Sequence, residues 1–400
     1  MKPSKVYTII LWLLIIEFSS GLVWGIHRAL ASIFTKEELL ITSFAQIGLV
    51  VSVFGLTKAV TNLAFRALSD RTGRKPVILL GLALTGLGGY VIASAPTYLQ
   101  MLIGTALIGL GGGSTFVGIM VAMTETLPNR KGLAMGLFEL AAYGGSSAGT
   151  ALAGTMAALT GLRYPFYIIV GLALASVAAA FFTVSETKNS PPHRRTETSD
   201  EKRRHRQALK DILPLCLAGF SSKIMDSLVW SFLPLYFLGI GMNVAQTAVA
   251  ASAFTLSWAL FQPFSGHASD KLGRKNLVIV GLATTGITVL LLTATRNYPL
   301  LVALDLLLGL EAALFYTPIV AMVSDIAPPG LEGTLIGSYR FFRDMGYFAG
   351  PILLGLIADT YGLTNTFPAT AVSLLIATAV VLILSRESLS KAITDSTQTE

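Results

Sequence analysis

The chain has few charged residues and a single cysteine. Asp, Glu, Lys and Arg make up 13% of its 400 residues, whereas soluble domains usually carry about 25%. Because Cys216 is the one cysteine, a disulfide framework or a multi-thiolate zinc site within one chain is excluded. The four histidines lie apart in sequence, without the spacing of a metal site, at His27, His193, His205 and His267. The scarcity of charge rules out an ordinary soluble enzyme, and neither a metal nor another cofactor is expected.

Hydrophobic residues are abundant instead, at 53% of the chain. They form apolar runs that recur about every 30 residues, and a membrane-spanning helix needs about 20 mostly apolar positions. Each run is interpreted as a helix, because lipid offers no partner for an unpaired backbone amide. The pattern predicts an all-α integral membrane protein with twelve transmembrane helices.

A polar segment divides the chain into two halves. Residues 185–211 contain eight cations, five anions and almost no apolar residues, which is typical of a solvated linker. The expected organisation is a six-helix bundle at 1–184, a cytoplasmic linker at 185–211, a second six-helix bundle at 212–385 and a cytoplasmic tail at 386–400.

The basic residues predict which side of the membrane each loop occupies. With both termini in the cytoplasm, 21 Lys and Arg fall in cytoplasmic segments, and only Lys36, Arg163 and Arg296 fall in the opposite loops. This asymmetry follows the positive-inside rule and predicts a multi-pass protein of the cell membrane, embedded in the lipid bilayer. It also excludes nucleic acid as a partner, because the bilayer spreads the basic residues over separate loops.

The first residues permit a second interpretation. Lys2 and Lys5 before an apolar run resemble the start of a signal peptide. Glu17 interrupts that run, however, and cleavage would leave the first half one helix short of the second. We therefore expect the segment to remain as the first helix.

Internal repeats relate the two halves. Residues 69–75 and 269–275 share the pattern Ser-Asp-Arg/Lys-x-Gly-Arg-Lys at an offset of 200. A second repeat, at an offset of 201, aligns two sets of glycines: Gly145, Gly149 and Gly154 with Gly346, Gly350 and Gly355. Two six-helix repeats with a site between them are a known transporter architecture, in which rocking of the halves exposes a central cavity to each side in turn.

With these repeats the chain resembles the major facilitator superfamily over essentially its whole length. The family's loop motif, Gly-x-x-x-Asp-Arg/Lys-x-Gly-Arg-Arg/Lys, is complete in the second half, and Arg66 replaces its first glycine in the first half. The motif residues are Asp70, Arg71, Gly73, Arg74 and Lys75 in the first copy and Gly266, Asp270, Lys271, Gly273, Arg274 and Lys275 in the second.

The resemblance implies a role for the two motif aspartates. Asp70 would dock on the start of the eleventh helix and Asp270 on the start of the fifth, where a helix N-terminus carries partial positive charge. Such contacts would hold the cytoplasmic side shut. The alternative is that the loops only anchor the topology through their cations.

Two family features of proton antiporters are incomplete. The fifth-helix motif keeps its glycines but has Thr150 in place of proline, and Thr105 stands where many antiporters have a fourth-helix arginine. The stretch from Phe232 to Pro263 nevertheless resembles proton-driven multidrug exporters. The resemblance implies a secondary active transporter of a small organic molecule, with proton-coupled efflux by alternating access as the first expectation.

Ionisable residues inside the predicted helices are the main functional candidates. There are ten of them: Glu17, Lys58, Glu139, Lys223, Asp226, Asp305, Glu311, Arg340, Arg343 and Asp344. Each costs about 2.5–3.5 kcal/mol at mid-bilayer, so they must be paired, hydrated or neutralised. Pairs are expected between Lys223 and Asp226 and between Arg340 and Asp344, which are three and four residues apart on one helix.

The ten residues divide into two groups. Six acids and four bases leave two carboxylates without a cation, and such a group in a partly dry cavity binds a proton readily. The candidates for a proton and substrate cavity are Glu17, Asp226, Asp305 and Glu311. The candidates for a gate between the halves are Lys58, Glu139, Arg340, Arg343 and Asp344. Arginine in this second group could instead clamp a carboxylate substrate.

Three functions therefore stay open at this point. Efflux coupled to protons is favoured, and uptake of an organic anion or nutrient is supported by Arg340 and Arg343. A membrane sensor without transport activity is the alternative from another class, although it would need a soluble output domain. An enzyme is not expected, since no nucleophile with a base or metal cluster is readable. The expected partners are a small-molecule substrate, protons and lipid, with the chain acting as a monomer.

Overall fold

The computed structural model describes residues 3–127, 131–184, 186, 199–328 and 331–387. Within its helices it describes the backbone alone at 3–5, 62–71, 131–132, 199–202 and 332–333. Residues 388–400 of the expected tail, and residues 185 and 187–198 of the linker, therefore lie outside the described residues. The described part contains helices and connecting turns, and no strand.

The first half forms a bundle of six helices. They are α1 (Pro3–Glu37), α2 (Phe44–Thr72), α3 (Arg74–Ala93), α4 (Tyr98–Thr126), α5 (Lys131–Thr160) and α6 (Tyr164–Thr183). Their turns are short, and at the beginning of α4 the Thr97 side chain accepts a hydrogen bond from the Gln100 N–H, as a helix N-cap does. The six helices correspond to the six apolar runs of residues 1–184.

The linker contains a helix, α7 (Ser199–Asp211), which the expectation of a simple solvated linker did not include. Its sequence is rich in Glu, Lys, Arg and Gln, which have high helix propensity even without apolar packing. Ala208 is nevertheless buried, so the helix rests on the bundle through one small face while most of its other described side chains are exposed.

The second half repeats the six-helix arrangement. Its first span is interrupted and consists of α8 (Leu213–Ser227), a π-helical turn (Leu228–Phe232) and α9 (Leu233–Gly239). Pro234 enters α9 at its first turn, where the missing N–H of proline disturbs the regular helical ladder. The remaining spans are α10 (Val244–Leu272), α11 (Arg274–Leu291), α12 (Tyr298–Ile326), α13 (Glu332–Tyr361) and α14 (Thr366–Leu384).

Ten helices in the described ranges are long and apolar enough to cross a membrane, and the bent pair Arg203–Asp211 with Leu213–Gly239 makes eleven. With α5, a helix of 30 residues that carries Glu139, the total is the expected twelve. The prediction of an all-α protein with two six-helix bundles is confirmed.

The halves meet along two seams, α2 with α13 and α5 with α10. Glycine lets the backbones approach closely at each seam: Gly48 lies against the Pro351 carbonyl, and Gly154 lies against Ala248. We call the side with loops 73 and 273 and helix α7 the linker side, and the opposite side the far side. On the far side, Ile33, Ile47 and Leu235 from both halves form a buried apolar cluster that seals the seam.

Candidate transport site

A cavity lies between the two halves on the linker side. It measures about 910 Å³ and is lined by the linker-side ends of α4, α5, α10, α12 and α13. Its lining is mainly apolar, with these polar exceptions: Glu139, Gln262, Tyr316, Thr317, Ser324 and Arg340. A volume of this size accommodates a drug-sized molecule, and a few polar groups in an apolar wall are usual for such sites.

Two oppositely charged residues face the cavity from different halves. Glu139 comes from α5, and its Oε2 atom is buried without a hydrogen-bond partner in the described part of the chain. Arg340 comes from α13, where its Nη1 atom lies 4.0 Å from the sulfur of Met120. Among the described side chains, Arg340 forms no ion pair, so the cavity offers one available cation and one available carboxylate.

The expected pair between Arg340 and Asp344 is wrong. Asp344 is bound by Arg343 instead, with 2.7 Å between Arg343 Nη2 and Asp344 Oδ1. Arg343 also donates a hydrogen bond of 3.0 Å to the Tyr316 hydroxyl. The Arg340 side chain points toward the cavity and Met120 instead of Asp344. Asp344 therefore pairs with Arg343, the residue before it in sequence.

Behind the cavity, a buried ionic cluster joins the halves. Lys223 Nζ lies 3.1 Å from Asp226 Oδ2, as expected from their spacing. Arg28 of α1 also pairs with Asp226, and the Tyr347 hydroxyl donates to the same carboxylate. Arg28 also lies over the Trp230 ring at 5.5 Å.

Arg28 was not among the ten ionisable residues predicted to lie within helices, although it is 8% exposed and pairs with Asp226. With Arg28 included, five bases oppose six acids. However, Arg28 and Lys223 both bind the one carboxylate of Asp226, so fewer cations remain for the other acids.

Three buried acids form no ion pair in the described structure. Both carboxylate oxygens of Glu17 and of Asp305 have no hydrogen-bond partner among the described atoms, and the two residues are 1% and 0% exposed. Glu311 accepts one hydrogen bond of 2.9 Å from the Thr288 hydroxyl, while its Oε2 atom has no partner there. None of the three lines the cavity, and Asp305 and Glu311 both belong to α12.

Glu17 lies close enough to Glu139 and Lys58 to interact with both electrostatically. Lys58 Nζ is positioned 3.9 Å from the Trp24 ring centroid, a cation–π contact. The structure therefore brings Glu17, Lys58 and Glu139 together from α1, α2 and α5, next to the cavity. It does not bring Asp305 or Glu311 into that group.

The loop motif is described most fully in its second copy. Asp270 is 62% exposed in its side chain and lies 3.3 Å from Arg274, which also pairs with Asp325. The side chains of Asp70 and Arg71, and residues 128–130 before α5, lie outside the described residues. Docking of the two aspartates on partner helices therefore stays a prediction.

Two glutamates complete the loop motif, and the sequence reasoning missed both. Glu186 accepts hydrogen bonds from the backbone N–H groups of Arg74 at 2.8 Å and Lys75 at 3.3 Å. Glu387 accepts the corresponding bonds from Arg274 and Lys275, both at 3.1 Å. A search for acidic residues repeated at the 201-residue offset would have found this pair.

The same contacts explain the motif glycines. Gly73 and Gly273 have φ of +104° and +92°, which favours glycine. A Cβ atom at either position would also meet the carboxylate of Glu186 or Glu387.

The motif lysines make a further contact in each half. Lys75 donates to the Phe181 carbonyl at 2.6 Å, and Lys275 donates to the Leu382 carbonyl at 2.8 Å. Each loop is thus tied to the end of the last helix of its own half.

Two repeated bundles with a cavity between them and charged side chains in their interior define a membrane transporter of the alternating-access type. The chain belongs to the Major Facilitator Superfamily, whose profile matches residues 13–214 and 215–399. It is therefore a secondary active transporter, as the sequence resemblance implied.

Curated relatives are similar over most of their length. The multidrug resistance protein MdtG of Proteus mirabilis (strain HI4320) is 26% identical over 334 residues, covering 81% of this chain and 82% of the relative. The protein of the same name from Escherichia coli O17:K52:H18 (strain UMN026 / ExPEC) is 24% identical over 333 residues, covering 81% and 80%.

Solved structures share the fold at low sequence identity. A bacterial homologue of the human lysosomal transporter Spinster, inward-facing and occupied, superposes with a TM-score of 0.81 at 16% identity, covering 97% of this chain and 98% of that chain. The nucleoside transporter NupG gives a TM-score of 0.77 at 13% identity, covering 94% and 98%.

Proposed function

We propose that this transporter exports small, largely apolar organic molecules in exchange for protons, acting as a monomer with both termini in the cytoplasm. The mainly apolar cavity of about 910 Å³ supports this substrate class. The names of the relatives, multidrug resistance proteins, support export. The excess of Lys and Arg on the linker side supports its assignment to the cytoplasm.

The proton-coupling proposal rests on the environment of Glu17. Its carboxyl group is buried with neither oxygen partnered in the described structure, and it sits beside cavity-lining Glu139. Burial without a partner disfavours the ionised form of a carboxyl group, and on this ground Glu17 is proposed as the proton carrier. When water reaches it or a substrate cation approaches Glu139, the charged form becomes favourable and the proton leaves.

The Arg28–Asp226 pair is proposed as the central gate, assisted by Arg343 and Asp344. Arg28 belongs to the first half and Asp226 to the second, so rocking of the halves stretches this ion pair. Asp226 then becomes available to a proton, while Lys223 remains three residues away on its own helix. In this state Arg28, Lys223 and Tyr347 all bind the Asp226 carboxylate. Glu17, which has no such partner, is therefore preferred over Asp226 as the proton carrier.

Reconstituted protein tests the proposal. Purified transporter in liposomes is given a pH gradient and offered a panel of lipophilic cations and a panel of organic anions. We expect gradient-driven movement of lipophilic compounds, loss of this coupling in Glu17→Gln, and retained gradient-independent exchange of substrate in that variant. Asp305→Asn and Glu311→Gln serve as matched controls, because these acids are buried but lie away from the cavity. Movement that ignores the gradient would remove the coupling proposal.

Uptake of an organic anion is the second candidate. The observation that favours it is Arg340, a cation on the cavity wall without an ion-pair partner among the described side chains. If the anion panel alone is transported, and Arg340→Gln weakens that transport by about tenfold, this function replaces the first.

A further inference from the structure

We propose that Asp359 locks the far side of the transporter shut, by capping a helix of the opposite half. Asp359 belongs to α13 in the second half, and the helix it caps is α2 in the first half. Asp359 is thus a positioning residue for the transport cycle. This inference rests on alternating access, but not on the coupling ion, substrate or direction proposed above.

The contact consists of three hydrogen bonds to one carboxylate. The Phe44 N–H donates to Asp359 Oδ1 at 2.6 Å, and the Ala45 N–H donates to Oδ2 at 3.0 Å. The Ser43 hydroxyl donates to Oδ2 at 2.7 Å. The first N–H groups of a helix lack partners within the helix and carry partial positive charge, so an external carboxylate stabilises them.

The contact is placed where it must break. The cavity of this state is on the linker side, and the far side is sealed by packing of the two halves. Opening the far side separates α2 from α13 at their far-side ends, which are the ends that Ser43 and Asp359 occupy. The three hydrogen bonds therefore exist only in states with the far side closed, and they favour those states.

The other seam has no equivalent lock in the described structure. There α10 of the second half packs against α5 of the first. The N-terminus of α10 is capped by side chains of its own first turn and not by a residue of the other half. Asn243 accepts from the Gln246 N–H at 2.8 Å, and Gln246 accepts from the Asn243 N–H at 3.1 Å. The residue of α5 at the 201-residue offset from Asp359 is Ala158, which has no carboxylate. The lock is thus an asymmetric feature that the repeat does not require.

The turn before α2 is strained, which fits a segment held in place by a partner. Leu40 has φ of +55°, the one non-glycine residue with positive φ in the described ranges. Its side chain is 78% exposed, so its own packing does not stabilise this conformation. A left-handed backbone is unfavourable for leucine. The N–H groups of Leu39 and Ile41 donate to α1 carbonyls on one side of the turn, and Ser43 bonds Asp359 on the other.

A cysteine reporter measures opening of the far side directly. Ser52 of α2 is 0% exposed and lies between Gly48 and Gly55, which face Pro351 and Tyr347 across the seam. Ser52→Cys changes one atom. In a Cys216→Ser background it is the one thiol, and its rate of reaction with a small water-soluble maleimide, in purified detergent-solubilised protein, reports how often the seam opens. No substrate or gradient is needed, so failure here is distinct from failure of the proposed function.

We expect Asp359→Ala to raise the labelling rate about fivefold, within a range of roughly two- to thirtyfold, as loss of one helix cap would. Asp359→Asn keeps one acceptor oxygen and should raise it less, and Asp359→Glu should restore most of the parent rate. Ser43→Ala should raise the rate, and combining it with Asp359→Ala should add little. The matched control is Asp211→Ala, an exposed carboxylate on α7 of the linker side.

The proposal is overturned if Asp359→Ala labels within twofold of Asp211→Ala and of the parent. It is also overturned if Ser43→Ala and Asp359→Ala act additively, since independent effects indicate general loosening rather than a shared contact. If Asp359→Ala does not fold, the test uses Asp359→Asn and Ser43→Ala instead. Labelling rates equal to the parent rate in both variants would overturn the proposal, and raised labelling rates in both would support it.

Discussion

The buried ionic cluster makes a prediction about stability that follows from counting charges. Arg28 and Lys223 share the single carboxylate of Asp226, so the cluster carries two cations and one anion. Asp226→Asn leaves two buried cations facing each other without a counter-charge. Lys223→Met leaves a neutral Arg28–Asp226 pair that the Tyr347 hydroxyl still supports. The two substitutions should therefore differ greatly, although they break the same ion pair.

Removing one partner of a buried pair typically costs about 3–5 kcal/mol, because the remaining charge is uncompensated. With an unfolding entropy of about 2 cal/mol/K per residue and a chain of 400 residues, Asp226→Asn should lower the melting temperature by roughly 4–6 °C. Lys223→Met should cost about 1 kcal/mol or less, a shift of roughly 1 °C.

The measurement is thermal unfolding in detergent, followed by intrinsic tryptophan fluorescence. Trp230 lies 5.5 Å from the Arg28 guanidinium and reports on the cluster itself. Asp211→Asn, an exposed change in the linker helix, controls for loss of a carboxylate as such. Equal destabilisation by Lys223→Met and Asp226→Asn would refute the charge argument, since it would mean that both residues contribute only packing.

Two further predictions concern the loop motif and the cavity. Gly273→Ala should lower the melting temperature and the yield of folded protein, because φ of +92° is unfavourable for alanine and the new methyl group would press on Glu387. Gly337→Ala, with no atom within 4 Å of the added methyl group, is its control and should match the parent; equal losses in both would contradict the strain argument. Arg340→Gln should weaken uptake of anionic compounds by about tenfold, the value of one charge-assisted hydrogen bond, and leave uncharged compounds unaffected. Uptake assays in liposomes compare the two classes, and a uniform loss would mean that Arg340 is structural.

The fold could be predicted because the bilayer restricts the alternatives. Apolar runs of sufficient length, separated by polar turns, have to form helices in lipid, and the loop repeat at 69–75 and 269–275 reveals the two halves. The pair Lys223–Asp226 was predictable for a related reason, since both residues lie on one turn of one helix.

Contacts between distant helices could not be read in the same way. Arg28 pairs with Asp226 across 198 residues of sequence, and nothing in the pattern around Arg28 distinguishes it from a cation at a helix end. Asp344 has two arginines near it on its own helix, of which Arg343 pairs with it and Arg340 lines the cavity. The direction of a side chain depends on its neighbours in other helices, and residue spacing along one helix gives no information about those neighbours.

The amino-acid sequence alone determined that this is a twelve-helix membrane protein built from two repeats, because hydrophobic length and loop charge act locally along the chain. The tertiary structure alone decided which buried acids are paired. It placed Glu17 beside the cavity with its carboxylate unpartnered in the described structure, gave Asp226 two cations, and set Asp359 on a helix of the other half. Ion pairing depends on distances of a few ångströms between segments hundreds of residues apart, and only the packed bundles establish those distances.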